Sequence, residues 1–322
     1  MRAALYERYG ESSDVLRVTD VDRPEPGPGE VRVRMEYSGV NPTDWKSRSG
    51  ATPRPIDGFQ IPHHDGAGVI DAVGPGVDQS RTGQRVWTQM AAAGSRWGTA
   101  AQWSVLPSAR AVPLPDGVSA ELGASLGVPA VTAHHCLFAD GPVEGKTVLV
   151  AGGAGAVGHF AIELAKFAGA RVVSTASGPE KAELARKAGA DLVVNYTEPN
   201  AADEIRSFGP VDRVIEVALG ANLQLDLAVL SPGRHIVTYA AEQEDPVLPV
   251  RACMNANVML RFVLLYGVPP EAREAAARDI TSALAGGALT ELPVHRFPLE
   301  DIAAAQDVVR DGAVGKVLVA LS

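Results

Sequence analysis

The residues of this 322-residue chain best placed to do chemistry are the glycines of Gly152-Gly153-Ala154-Gly155-Ala156-Val157-Gly158. Gly153, Gly155 and Gly158 have the spacing G-x-G-x-x-G. An apolar run, residues 147–151, precedes them. A helix-period pattern follows through Val157, Phe160, Ala161, Leu164, Ala165 and Ala168, and Gly169 closes it. Between a strand and a helix this spacing marks a dinucleotide-binding turn. On this reading Gly153 makes the tight turn, Gly155 lets backbone N–H groups approach a pyrophosphate, and Gly158 lets the helix pack on the strand. Ala154, Ala156 and Val157 complete the cradle, and the helix N-terminus favours negative charge.

The end of the next strand speaks to which dinucleotide. A site for NAD places Asp or Glu there, about 20 residues on, to hold the ribose hydroxyls. Here the run ends Ser174-Thr175-Ala176-Ser177, with no acid before Glu180 and with Lys181 just behind. A carboxylate would repel a 2′-phosphate, whereas the Ser177 hydroxyl and the Lys181 ammonium would hold it. Tyr196, closing the run 191–196, would flank the same phosphate. The expected cofactor is NADPH.

These groups need a doubly wound sheet to position them. Strand-like runs at 147–151, 171–175, 192–196, 211–217, 234–239 and 258–265 alternate with helical patterns. A helix is expected at 271–284. Residues 1–120 have another texture: short alternating runs such as 30–35, separated by Pro- and Gly-rich turns at 24–29, 74–76 and 113–117, as in a β-barrel. The tail, 294–297 and 316–321, reads as strands rejoining that barrel. The expected organisation is α/β, with a barrel domain of residues 1–125 and 266–322 and a nucleotide domain of residues 126–265.

Composition narrows the function classes. Hydrophobic residues make up 46% of the chain, and the net charge of −9 is spread over interspersed acids and bases, without the basic stripe of a nucleic-acid surface. Two cysteines, Cys136 and Cys253, make neither a disulfide framework nor a cysteine zinc cage. The sequence shows no secretory signal and no membrane-length apolar run, so a cytoplasmic protein is expected.

With these segments in place the chain resembles the medium-chain dehydrogenase/reductase superfamily, and within it the zinc-free quinone oxidoreductases, the zeta-crystallin-like branch. The resemblance rests on Gly39-Val40-Asn41-Pro42-Thr43-Asp44, Asp65-Gly66-Ala67-Gly68-Val69-Ile70, the 151–158 turn, Lys187-Ala188-Gly189-Ala190-Asp191 and Gly315-Lys316-Val317-Leu318. It implies a GroES-like catalytic domain split around a Rossmann domain, with the active site in the cleft between them, and NADPH-dependent reduction of quinones or activated double bonds. It also implies that Thr132, Val217, Tyr239, Phe262, Val263, Leu264 and Lys316 lie around the cofactor. Zinc-dependent relatives carry Cys where Asn41 stands, His-Glu where His64-Asp65 stands, and a further Cys near residues 127–128, so no metal is expected here. Position 46, often Tyr in similar quinone oxidoreductases, is Lys, a variant that looks more like relatives acting on α,β-unsaturated carbonyl compounds.

In such a reduction, hydride reaches a quinone carbon or the β-carbon of an enone, and negative charge grows on the carbonyl oxygen. Without a metal, side-chain donors must meet that oxygen. Asn41 and Lys46 are the candidates, with Asp44 beside them as a third catalytic residue. A non-catalytic NADPH-binding protein and a zinc alcohol dehydrogenase with altered ligands are the alternatives. A homodimer through the apolar run 258–265 is expected, because an exposed apolar edge is a pairing hazard.

Overall fold

A computed structural model describes residues 1–241 and 244–321. The chain forms two units, Met1–Val128 with Glu291–Ser322, and Pro129–Thr290.

In the first unit β1 (Arg2–Leu5) and β2 (Arg17–Asp20) pair antiparallel around the short α1 (Ser12–Val15). The sheet beyond them is built on β3 (Glu30–Val40), whose Val31, Val33 and Met35 enter the core. Arg32, between them, is also buried because Asp71 accepts from its Nε at 2.8 Å. After α2 (Pro42–Ser49) come β4 (Asp65–Val73), β5 (Arg85–Thr88), β6 (Trp103–Pro107) and β7 (Ala111–Pro113). α3 (Ala120–Phe138) crosses into the second unit, which begins at Pro129 within this helix.

The second unit alternates strand and helix: β8 (Thr147–Val150), α4 (Ala156–Phe167), β9 (Arg171–Ala176), α5 (Pro179–Lys187), β10 (Leu192–Asn195), α6 (Ala201–Phe208), β11 (Val211–Glu216), α7 (Leu219–Val229), β12 (Leu230–Thr238), α8 (Val250–Ala256), β13 (Met259–Phe262) and α9 (Pro270–Ala285). Its six strands are all parallel in the order β10-β9-β8-β11-β12-β13. That is the doubly wound nucleotide-binding order, with the crossing point between β8 and β9 on one side and β11 on the other. Every residue of β8 is buried, as a central parallel strand requires.

The chain then returns to the first unit as β14 (Val294–Pro298), α10 (Ile302–Arg310) and β15 (Lys316–Ala320). β15 runs antiparallel to β3, completing the sheet order β14-β15-β3-β4-β5-β7.

Two expectations need correction. The return falls at Glu291 rather than 266, because α9 belongs to the second unit: it packs on α4, and His134 on α3 holds Asp279 at 2.8 Å. Glu163 on α4 then accepts from both the backbone and the hydroxyl of Thr290, which pins the last residue of that unit. The run 258–265 is a strand only at Met259–Phe262, since residues 265–267 close into a 3-10 turn.

Candidate active site

The glycine turn connects β8 to α4, but its glycines divide the work differently from the expectation. The left-handed residue of the turn is Gly152, at φ +66°, not Gly153. A Cβ on Gly153 would collide with Ser174 Oγ on β9 and with Ile162, so Gly153 serves close packing. Gly158 does the same against the carbonyl of Gly152. Gly155, the residue before α4, is exposed, and a Cβ there would meet nothing nearer than Gly152 O at 3.4 Å. The open face of the turn lies at Gly155 and the first residues of α4, where backbone N–H groups and the helix dipole suit a phosphate. Ala154 is buried; Ala156 and Val157 are half-buried.

β9 ends at Ala176 with Thr175 buried beneath the turn, and Thr175 Oγ1 accepts from Gly152 N at 3.3 Å. No acid stands at that strand end. Ser177 and Lys181 are exposed, Lys181 in the first turn of α5, and Tyr196 is exposed just past β10. Val217 and Tyr239 follow the C-terminal ends of β11 and β12. Thr132 is buried on α3. Phe262 and Leu264 point outward at 68% and 69% exposure, with Val263 turned in.

In the first unit, Asn41 leaves β3 in extended conformation and caps α2, with Pro42 at the first helical position, where its missing N–H costs nothing. Asp44 accepts from the Asn41 N–H at 2.7 Å, half of a capping box. Asp44 is thereby turned inward and buried. Lys46 is half-buried, with its ammonium 5.8 Å from the Trp45 ring centroid, and no carboxylate among the described residues pairs with it.

Lys316, expected at the cofactor, has its Nζ buried against Asn41 Oδ1 at 2.7 Å and Asp65 Oδ2 at 3.4 Å. Asp65 also accepts from Asn41 Nδ2 at 2.6 Å and from the Val128 N–H at 2.7 Å. Burial pushes Asp65 up and Lys316 down from their ordinary values, and each opposes the other's shift. Nothing local marks Lys316 for this role.

A second chain of hydrogen bonds runs beside it. Arg48 Nε donates to Gln306 Oε1 at 3.1 Å, which leaves the Gln306 amide nitrogen to donate to His63 Nε2 at 3.2 Å. His63 Nδ1–H then donates to Ser38 Oγ at 2.9 Å, Ser38 to Thr99 Oγ1 at 2.7 Å, and Thr99 to the Asp65 carbonyl at 2.6 Å. The donor-only guanidinium sets every direction in this chain. His63 itself sits at φ +74°, and burial drives that ring's pKa down to about 3.

These residues do not suit a metal. The Asn41 amide oxygen, the end that could ligate a metal, is committed to Lys316, and Arg54, a donor only, stands 3.0 Å from His64 Nε2. At Gly127 a side chain would collide with Asp65 Oδ1 and stand 2.6 Å from the Thr88 carbonyl, which leaves no room for a third ligand there. Catalytic zinc takes three protein ligands and an open position.

Known proteins carry the same architecture. Residues 27–116 match the alcohol dehydrogenase GroES-like domain and residues 156–282 the zinc-binding dehydrogenase domain. The chain is 30% identical to the quinone oxidoreductase of Mus musculus over 329 residues, covering 98% of that protein. Among solved structures, an NAD-dependent alcohol dehydrogenase superposes with TM-score 0.90 at 27% identity, each chain covered in full. A mycobacterial protein complexed with NADPH superposes with TM-score 0.85 at 29% identity over 99% of both chains. The fold is that of the medium-chain dehydrogenase/reductase superfamily. The chain belongs to its quinone oxidoreductase branch.

Proposed function

We propose that this protein is an NADPH-dependent oxidoreductase that reduces a conjugated carbonyl compound, a quinone or an α,β-unsaturated ketone or aldehyde, without a metal. The observation that carries the reading is α2: Asn41 caps its start with an amide and Lys46 sets a half-buried ammonium in its last turn, while the positions of zinc ligands are taken by groups already paired. Bound NADPH supplies the hydride. Gly155 and the N-terminus of α4 hold its pyrophosphate, and Ser177 and Lys181 hold the 2′-phosphate. Asn41 and Lys46 donate to the carbonyl oxygen as charge grows on it. A conjugated acceptor delocalises that charge, so hydrogen bonds can replace the Lewis acid an isolated carbonyl needs. The curated quinone oxidoreductases at 29–30% identity and the NADPH complex of a structural relative support this reading.

NADPH oxidation measured against a panel of quinones, alkenals and enones, with secondary alcohols and NADP⁺ as the control, tests it. Turnover of the alcohols alone, or activity lost on chelation with near-stoichiometric zinc in the purified protein, would overturn it. Lys46→Ala should lower kcat about 100-fold with NADPH affinity nearly unchanged, as for loss of one aimed donor. Lys181→Glu should raise KM for NADPH far more than KM for NADH, and equal kcat/KM for both cofactors in the unmodified protein would sink the cofactor assignment.

A further inference from the structure

The amide of Asn41 is gripped by two charges of opposite sign. An ammonium only donates and an ionised carboxylate only accepts, so Lys316 at 2.7 Å from Oδ1 and Asp65 at 2.6 Å from Nδ2 decide which end of the amide is which. The ammonium lies closer to the amide than to the carboxylate, which it meets at 3.4 Å. The other carboxylate oxygen is occupied by the Val128 N–H. This is therefore more than a buried ion pair: the cation is aimed at the amide oxygen.

The fold makes a specific place for it. β15 runs antiparallel to β3 with Val317 opposite Val40, so the next step of the register sets Lys316 across from Asn41. Gly39 lets the lysine stem pass, since a Cβ there would stand 3.2 Å from Lys316 Cε and collide with the Ala124 carbonyl. The Lys316 N–H is tied to the Pro293 carbonyl at 2.8 Å.

We propose that Lys316 is a positioning residue for the reduction: acting through Asn41, it fixes and polarises the amide so that its second Nδ2–H is presented to the oxygen on which charge develops. The proposal rests on the reading that Asn41 donates to that oxygen. One Nδ2–H is committed to Asp65 and the other is left for substrate. Withdrawing electron density at Oδ1 makes both N–H groups stronger donors, as in any charge-terminated hydrogen-bond chain. Without the cation, the amide loses the contact that forbids its flipping.

The double variant Lys316→Met/Asp65→Asn tests this, because it removes both charges at nearly constant volume and leaves no unpaired ion in the core. NADPH affinity should stay within about twofold and KM for a quinone within about threefold, while kcat falls about 10-fold, a part of what a full oxyanion donor contributes. The Asn41 side-chain NH₂ signals in a ¹H–¹⁵N spectrum should move upfield as the donors weaken. Unchanged kcat with unchanged signals would overturn the proposal, and so would a loss of NADPH affinity, which would make Lys316 a cofactor ligand. Asn41→Ala, run in parallel, separates the two readings. If it leaves kcat intact, the role of Asn41 itself falls; if it lowers kcat and the double variant does not, only the role of Lys316 falls. Should the double variant not fold, the wild-type protein still decides: a charged, slowly exchanging Lys316 ammonium at pH 7 is expected in ¹⁵N spectra, and a neutral amine there would refute the scheme.

Discussion

A carboxyl group closed off from water beside another carboxylate keeps its proton well into the neutral range. Asp44 is such a group: burial first, and Asp65 second, push its pKa from 3.8 up to about 8 against the opposing pull of the Asn41 N–H, Lys316 and Arg54. The folded chain therefore holds a proton that the unfolded chain releases above about pH 4. The contribution to stability is fully present below 3.8 and is lost as pH rises through about 8. Asp44→Asn keeps a neutral side chain whose oxygen can still accept the Asn41 N–H. Its advantage over wild type should grow between pH 4 and 8 with a slope of up to about 1.4 kcal/mol per pH unit. Urea unfolding followed by tryptophan fluorescence is a clean measure, because Trp45, Trp87, Trp97 and Trp103 all lie in the first unit. Parallel pH profiles for the two proteins would show that Asp44 is ionised. In the structure Asp44 is also the N3 member of the α2 capping box, accepting from the Asn41 N–H.

At the scale of elements, the β8–α4 turn separates two kinds of glycine, and substitution distinguishes them. Gly158→Ala would drive a methyl group into the Gly152 carbonyl, so it should lower the Tm of the second unit and take cofactor binding with it. Gly155→Ala has room, with no atom nearer than 3.4 Å, so Tm should hold while NADPH affinity falls because the methyl group stands on the face a phosphate must approach. Thermal melts with and without NADPH check both; a large loss of Tm in Gly155→Ala would show that its role is packing. This turn was legible in the sequence because strand, glycines and helix are contiguous, and the succession of six strands with helices between them followed from the same local alternation, though not their order in the sheet. The Lys316–Asn41 contact was not legible: 275 residues separate the partners and only the β15–β3 register joins them. The true end of the second unit was hidden for the same reason, since the bonds that hold it, His134 to Asp279 and Glu163 to Thr290, span 145 and 127 residues.

For the whole molecule, the open edge of the six-stranded sheet raises the question of what covers it. β13 is the last strand of the sheet, paired on one side only among the described residues; Met259 and Phe262 on it, Leu264 just past it, and Val250 and Met254 on α8 are exposed by 44% to 69%. Leu248, Val258 and Leu260 line an adjoining groove with Cys253 and Asn257. An unprotected apolar edge of this kind invites strand pairing, and a two-fold mate of the same chain offers an identical edge to extend the sheet and bury it. We propose a homodimer formed there. Strand geometry supplies a selective test. The Val263 N–H bonds inward to the Thr238 carbonyl on β12, so by the alternation of a strand the Phe262 N–H points to the free edge. Proline at 262 should remove an outward donor without breaking the β12 ladder. Sedimentation at micromolar concentration should show wild type as a dimer and Phe262→Pro shifted towards monomer, with the Tm of the isolated chain little changed. A wild-type monomer under those conditions would exclude the dimer. A dimer indifferent to Phe262→Pro would place the interface on another surface.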